Sequence, residues 1–312
     1  GLYIFVGNSG VLSFGHAAVM AVGGYTMGIL TMPADVKEFV LTGLPDFIAS
    51  NEVDTLLATV IAGTVAALFA AIIGLPIVRI GPLQAGLATV AMLLVVRVVL
   101  QNWTAVTGGG PGIAPIPFAT GATTPFLWLV GAVVVAYLFQ CSSTGLRLRA
   151  SREDGITARS IGIRVGRERW IAFVLSGFIT GIGGALFVQS VGAATPDSFY
   201  LTTTFLILVM LVVGGITSLT GAVVGGIVIS VLSHILSEIE QGEVFGLFSV
   251  PTKAGTRDVA LSLILLTILL VRPQGLVGAR EFRWPRRRQK RAKSQGDEGR
   301  HTDFASSVNT NE

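Results

Sequence analysis

Long uncharged stretches of apolar residues recur along this chain of 312 residues. An α-helix rises 1.5 Å per residue, so about 20 apolar residues cross the roughly 30 Å hydrocarbon core of a bilayer. We therefore predict an all-α fold, a polytopic transmembrane helical bundle. The eight predicted spans are 10–31, 56–78, 82–101, 125–140, 170–192, 203–217, 219–237 and 257–271.

The composition agrees with a membrane protein and argues against a soluble globule. Only 13% of the residues are charged, whereas soluble domains carry about 25%. Much of the glycine, 39 residues in all, falls inside the predicted spans. Small residues let helix backbones approach closely in lipid, so we expect most of these glycines to serve packing. The alternative is that some permit a broken helix beside a pathway.

The positive charges are concentrated in two regions. Of the 22 Lys and Arg residues, ten lie at or after Arg272 and seven lie between Arg147 and Arg169. The positive-inside rule places both regions on the cytoplasmic side of the membrane. The four predicted spans between them are consistent with that placement. We therefore attribute the net charge of +4 to membrane topology and not to nucleic-acid binding.

Two regions differ in character along the chain. Residues 1–281 are predicted to form the membrane domain, and residues 282–312 a basic, disordered cytoplasmic tail whose run Arg283–Arg291 would contact anionic lipid. The chain opens without Met on an apolar stretch, so we expect that part of another spanning segment precedes it.

The sequence predicts no enzyme, no cofactor and no metal site. Three histidines (His16, His234 and His301) and one cysteine (Cys141) stand apart from one another. There is no Walker A motif, so an ATPase that drove transport would be a separate polypeptide.

The polar loop 145–169 lies between two predicted spans and is predicted to contain a short surface helix. Ser151 is the expected N-cap, Glu153 and Asp154 occupy the first turn, and Gly162 ends the helix. The alternative is an ordinary arginine-rich loop. We favour a short helix that a partner protein binds.

This loop resembles the coupling loop of branched-chain amino acid ABC permeases, and the resemblance is nearer to the LivM-like than to the LivH-like branch. The matching residues are Arg152, Glu153, Asp154, Ala158, Arg159, Gly162 and Ile163. Four more segments resemble the family in the same order, namely 10–18, 107–113, 214–221 and 272–276. The resemblance implies three kinds of partner: cytoplasmic ABC ATPase subunits, a second permease subunit and an extracytoplasmic substrate-binding protein. Urea and short-chain amide permeases share the pattern, so they remain an alternative.

Several polar residues in or near the spans are candidates for the translocation path. Each has a second interpretation: Arg97 reaches the interface, His16 bonds helices together, and residues 107–110 form a plain turn. The family usually has an acidic residue three positions before the arginine, where this chain has Leu94. The candidates are Ser13, His16, Arg97, Thr107, Gly108 and Gly109.

Three other classes of membrane protein compete with an ABC permease. An ion-coupled secondary transporter needs carboxylates inside the membrane, but Glu238 and Asp258 lie only at span ends. A membrane enzyme needs paired catalytic groups, which the spans lack. A passive channel would leave the structured loop 145–169 unexplained.

Overall fold

The computed structural model describes residues 1–118, 121, 123–240, 256–272 and 275–278, and its regular elements are helices. In those residues, extended backbone pairs only at an isolated bridge between Ile113 and Ala194. A π-helix, Tyr3–Gly7, comes first, and a 3₁₀-helix, Pro196–Phe199, follows the tenth α-helix. The all-α prediction is confirmed. The α-helices are α1 (His16–Thr31), α2 (Ala34–Val40), α3 (Asp46–Ala49), α4 (Thr55–Ile77), α5 (Pro82–Asn102), α6 (Thr104–Thr107), α7 (Thr123–Cys141), α8 (Ser143–Glu153), α9 (Gly155–Ser160), α10 (Val165–Val191), α11 (Leu201–Gly214), α12 (Leu219–Glu240) and α13 (Thr256–Val271).

Six helical segments in the described residues are long and apolar enough to cross a membrane. They are α4, α5, α7, α10, the segment Pro196–Gly214 that contains α11, and α12. The pair α1 and α2 makes a seventh if it is counted as one span, although the chain bends by 119° between them. The chain is thus a multi-pass membrane protein, with fewer full-length spans than the eight predicted. The difference arises because α1 and α13 have only 16 residues each.

The first predicted span, 10–31, begins too early. Gly10 adopts a left-handed φ of 70°, and the amide of Phe14 donates to the Thr89 hydroxyl at 3.1 Å instead of to a helix carbonyl. Helix α1 therefore begins at His16. The predicted span 203–217 also ends early, at Gly214, because Gly215 has a φ of 122° that stops the helix.

Helix α10 packs tightly against α1 and α4 through glycines. A methyl group on Gly184 would lie 2.0 Å from the Met20 carbonyl oxygen, and one on Gly23 would lie 2.3 Å from the Gly181 carbonyl oxygen. The backbones are in contact at these points, as small residues allow in membrane helices. These glycines therefore have the packing role predicted for them.

Helices α11 and α12 form a second close pair. The Cβ of an alanine at Gly225 would lie 2.1 Å from the Met210 carbonyl oxygen. The short segment 275–277 lies beside the end of α11, where the amide of Leu276 donates to the Val213 carbonyl at 2.7 Å. Residues 282–312, predicted to be a basic tail, lie outside the described residues.

The loops of the bundle gather at two ends. Residues 32–54, 103–118 and 192–200 meet at what we call the acidic end, where the amide of Gly43 donates to Ala105 and Ile113 pairs with Ala194. Residues 7–15, 78–81, 142–164 and 213–218 gather at what we call the arginine-rich end. The candidate residues of the predicted coupling loop and of the predicted path can be located against these two ends.

A buried lysine holds the acidic end together. The Lys37 side chain is fully buried, and its ammonium group donates to the carbonyls of Leu30 at 3.2 Å, Ile48 at 3.3 Å and Asn51 at 2.6 Å. Three carbonyls, one at the end of α1 and two in or just after α3, thus share one cation, which fixes the loop between α1 and α4.

Candidate functional site

The arginine-rich end carries two short helices, α8 and α9. The Ser142 hydroxyl caps α8 by accepting from the amide of Gly145 at 3.1 Å. Leu148 is fully buried, and the Ser151 hydroxyl is buried with it and donates to the Leu148 carbonyl at 2.7 Å. The prediction that Ser151 caps a helix is therefore wrong. Ser151 lies inside α8, on its buried side.

Asp154 supplies the cap that was assigned to Ser151. Its Oδ1 accepts from the amides of Ile156 at 2.8 Å and Thr157 at 3.1 Å, and its Oδ2 accepts from the Thr157 hydroxyl. The hydrogen bond from the Thr157 hydroxyl, with the two backbone amides, holds the pKa of the Asp154 carboxyl below its usual value. Asp154 therefore joins α8 to α9 and fixes where α9 begins.

The predicted end of the helix at Gly162 is confirmed. Gly162 has a left-handed φ of 87°, and the amide of Ile163 donates to the Ala158 carbonyl at 3.0 Å. Such a left-handed residue terminates a helix and satisfies carbonyls of its last turn. Ala158 is buried, so α9 is anchored along one side.

The other side of α9 is exposed and apolar. Ile156 is 81% exposed and Ile161 is 71% exposed, and Glu153 and Arg159 flank them at the surface. Such side chains on a rigid element suit contact with another protein. We call Glu153, Ile156, Arg159 and Ile161 the α9 surface.

Arg152, in contrast, is directed into the protein. Its Nη1 donates to the Gly7 carbonyl at 2.7 Å, and its Nη2 lies 3.4 Å from a carboxylate oxygen of Glu153. A Cβ on Gly10 would lie 2.6 Å from the Arg152 Cγ, so glycine is needed where the arginine passes. Of the seven predicted coupling residues, only Glu153 and Arg159 belong to the α9 surface, and Arg152, Asp154, Ala158, Gly162 and Ile163 lie where they shape it.

Ser13 and His16, predicted for the translocation path, lie in a buried hydrogen-bonded chain. The His16 Nδ1 is 2.8 Å from the Ser13 hydroxyl, and the Nε2 is 2.8 Å from the Ser176 hydroxyl of α10. The rings of Phe5 and Phe173 pack against the imidazole, with centroids 5.9 and 5.6 Å away. In this conformation His16 connects α1 to α10, and both predicted residues are closed to solvent.

Thr107, Gly108 and Gly109 form a tight turn at the acidic end. The Thr107 hydroxyl is directed to the Leu100 carbonyl at 2.6 Å, and Gly108 and Gly109 have left-handed φ values of 70° and 67°. A methyl group on Gly108 would lie 2.2 Å from the Gly112 carbonyl oxygen. The second interpretation of this segment, a turn, describes the observed geometry.

Arg97 has a partner that the sequence did not suggest. Its Nη2 lies 2.8 Å from the Asp197 Oδ1, and its guanidinium carbon lies 3.9 Å from the centre of the Tyr200 ring. The carboxylate beside this arginine thus comes from another element, 100 residues away, while Leu94 is 43% exposed. One signal was available: Asp197 lies in a loop predicted at the same membrane face as the end of α5.

One face of α5 runs open between the two ends of the bundle. Leu83, Leu87, Leu94 and Val98 are exposed along it by 80, 66, 43 and 56%. Near the arginine-rich end this face borders an apolar groove of about 270 Å³, which is also lined by Leu12 and Phe14. Arg97 contributes the charge to a surface that is otherwise apolar.

Comparison with known proteins identifies relatives along most of the chain. Residues 1–271 match the family described as "Branched-chain amino acid transport system / permease component". The chain is 25% identical to the high-affinity branched-chain amino acid transport permease LivM of Escherichia coli K12, over 89% of this chain and 66% of LivM. It is 24% identical to the corresponding LivH of Salmonella typhimurium, over 90% of each chain.

A shorter match points to another transported molecule. The nucleoside ABC transporter permease NupC of Lactococcus lactis is 27% identical over 46% of this chain and 44% of NupC. No solved structure matches the chain significantly. These relatives are transport permease components, and the family match covers most of the sequence. The chain therefore belongs to the permease-component family of the branched-chain amino acid transport systems.

Proposed function

We propose that this chain is a permease subunit of an ATP-driven ABC importer in the bacterial inner membrane, where it forms part of the path for branched-chain or related amino acids. Its proposed partners are cytoplasmic ATPase subunits, a second permease subunit and an extracytoplasmic substrate-binding protein. The observation that carries the proposal is the α9 surface, which displays two exposed isoleucines on a capped and anchored helix in a chain of this family.

The proposed orientation places the arginine-rich end in the cytoplasm. Seven arginines lie between Arg147 and Arg169, and the acidic residues of the loop between α1 and α4 lie at the opposite end. ATPase subunits have their nucleotide in the cytoplasm, so the same orientation presents the α9 surface to them. The cytoplasmic position of the C-terminus and the division at residue 281 remain predictions.

The α9 surface is the proposed docking element. Movement of a bound ATPase would be transmitted through α9 to Asp154 and α8, because that cap rigidly joins the two helices. Glu153, Ile156, Arg159 and Ile161 would make the contacts, while Ala158 and Gly162 keep the helix in position.

A pull-down in mild detergent tests docking. The tagged permease is purified together with the other subunits of the importer. It is tested as wild type and as the double variant Ile156→Ser and Ile161→Ser. We expect the double variant to insert and fold normally but to lose the ATPase subunits. Val191→Ser is the matched control, since Val191 is 49% exposed at the opposite end. Replacing Glu153, Asp154 and Arg159 together by Ala tests the polar part of the loop.

Two results would count against the proposal. Normal ATPase recovery and normal uptake in both multiple variants would remove the docking role. Uptake that an uncoupler abolishes while ATP is held constant would indicate ion coupling instead. In the described membrane-crossing segments and α13, however, the only carboxylates are Glu168, Asp197, Glu238, Glu240 and Asp258, near the ends of those segments.

Competition uptake defines the substrate. Vesicles loaded with ATP are given labelled leucine with an excess of unlabelled leucine, urea or uridine. Competition by leucine alone supports the proposed substrate class. Urea tests the amide alternative, and uridine tests the transport of nucleosides suggested by the similarity to NupC.

A further inference from the structure

The ion pair between Arg97 and Asp197 has an unusual arrangement for a purely structural contact. The Nε and Nη2 of Arg97 both donate to the same oxygen, Asp197 Oδ1, at 3.1 and 2.8 Å. Arginine usually engages both oxygens of a carboxylate in parallel. Here Oδ2 takes no hydrogen bond from the described residues, and the Asp197 side chain is 69% exposed.

Stability alone does not account for a charge at this place. Arg97 is the one charged residue of α5, a helix that otherwise suits a membrane interior. Charged residues are costly to insert into a bilayer and tend to mark substrate routes. Exposed ion pairs contribute little to folding, so the pair does not repay the cost of inserting the arginine.

The surroundings of the pair add polar and apolar groups suited to a small ligand. The Tyr200 ring covers one face of the guanidinium, which holds it in place by a cation–π interaction. The Tyr25 hydroxyl is buried and has no hydrogen-bond partner among the described residues. Leu94, about one turn before Arg97, and Val98, the next residue, present exposed apolar side chains.

We propose that Arg97 and Asp197 form a recognition subsite for the zwitterionic backbone of the transported amino acid. Arg97 binds the α-carboxylate, Asp197 binds the α-ammonium group, and Leu94 and Val98 contact the aliphatic side chain. The inference rests on the proposed function and adds to it a subsite that recognises both charged groups of the amino acid.

The charge balance favours a zwitterion over a neutral molecule. An amino acid brings one negative and one positive group, so the ion pair opens into two pairs and no charge is left alone. Urea or a nucleoside would separate Arg97 from Asp197 without replacing either charge. Each charge would then lack a partner of opposite sign, so the subsite favours amino acids.

Photocrosslinking combined with uptake tests the subsite. The complete importer with its binding protein is placed in proteoliposomes and given a leucine analogue with a diazirine in its side chain. We expect the crosslink on α5 or at the start of α11, near Leu94 and Tyr200. Leucine should displace the analogue, whereas 4-methylpentanoate, which lacks the ammonium group, and isoamylamine, which lacks the carboxylate, should not.

Variants separate recognition from a structural bond between α5 and the 3₁₀-helix. Arg97→Gln and Asp197→Asn should each lower kcat/KM for leucine by about tenfold or more, while the thermal midpoint stays that of the wild type. Asp35→Asn, at an exposed carboxylate of the same end, is the matched control. An apolar pair, Arg97→Met with Asp197→Leu, preserves a structural contact but should not restore uptake.

The outcomes distinguish this inference from the proposed function. ATP-dependent leucine uptake by the wild type, with crosslinks elsewhere and with both single variants within about twofold of wild type, would overturn the subsite alone. Restored uptake in the apolar pair would do the same. Absence of ATP-dependent leucine uptake by the wild type would overturn the proposed function and the subsite together.

Discussion

Replacement of Gly184 by alanine should separate α1 from α10. The added methyl group would lie 2.0 Å from the Met20 carbonyl oxygen and 2.9 Å from the Met20 carbonyl carbon. Ordinary contacts between a carbon and a carbonyl oxygen are about 3.3–3.6 Å. The two backbones must therefore move apart by more than about 1 Å, since neither contacting atom belongs to a flexible side chain.

The neighbouring residue provides a control that isolates packing. A methyl group on Gly183 meets nothing within 4 Å, yet Gly183 lies in the same helix. Glycine to alanine favours a helix by about 1 kcal/mol at either position, so this contribution cancels between the two variants. Overpacking costs about 1–3 kcal/mol, and this is the expected difference in the free energy of unfolding between Gly184→Ala and Gly183→Ala.

Thermal denaturation in detergent measures the difference. The tagged permease is heated, and the fraction that remains monodisperse is followed by size-exclusion chromatography with fluorescence detection. We expect the thermal midpoint of Gly183→Ala to equal or exceed that of the wild type. The midpoint of Gly184→Ala should be lower than that of the wild type by several degrees. Equal midpoints for the two variants would refute the argument that the backbones of α1 and α10 are in contact.

Three further predictions follow from contacts elsewhere in the chain. Gly225→Ala should destabilise the α11–α12 pair in the same assay, whereas Gly226→Ala, with nothing within 4 Å, should not. Lys37→Met leaves three carbonyls without their donor, so limited proteolysis should cut the loop between α1 and α4 faster than in Glu38→Gln. The folded-state pKa of Asp154 is depressed, so its contribution to stability is present above the ordinary Asp pKa and lost as pH falls through the folded value. The protection of the α9 amides, taken relative to their intrinsic exchange rates at each pH, should therefore fall on acidification in the wild type and be low at all pH values in Asp154→Ala.

The sequence predicts the architecture well, because membrane spans are long and their runs of apolar residues are easily recognised. Apolar runs of about 20 residues fix the location of α4, α5 and α10 to within a few residues. The start of α1 was not readable, because residues 10–15 are as apolar as a helix needs. Only the side chain of Thr89, more than 70 residues away, shows where the amide of Phe14 bonds.

The candidate site was predicted in composition but not in geometry. Ser142, Ser151 and Asp154 are all good N-cap residues, and the sequence does not show which of them is buried. Packing decides which of these residues is buried, because Ser151 lies on the same buried side of α8 as Leu148. Asp197 was missed for the same reason: its contact with Arg97 depends on how α5 and the 3₁₀-helix pack and not on any local pattern.

The hydrogen bond from Arg152 to Gly7 has a mechanical consequence. It ties the last turn of α8 to the stretch before α1, next to the point where the Asp154 cap joins α8 to α9. A load applied at Ile156 therefore reaches Gly7 through one side chain and need not cross the bilayer first. Spin labels at Leu12 and Ile156 should therefore keep a constant separation across nucleotide states. The glycine at position 10 preserves this link, because a larger side chain there would collide with Arg152 and displace it from Gly7.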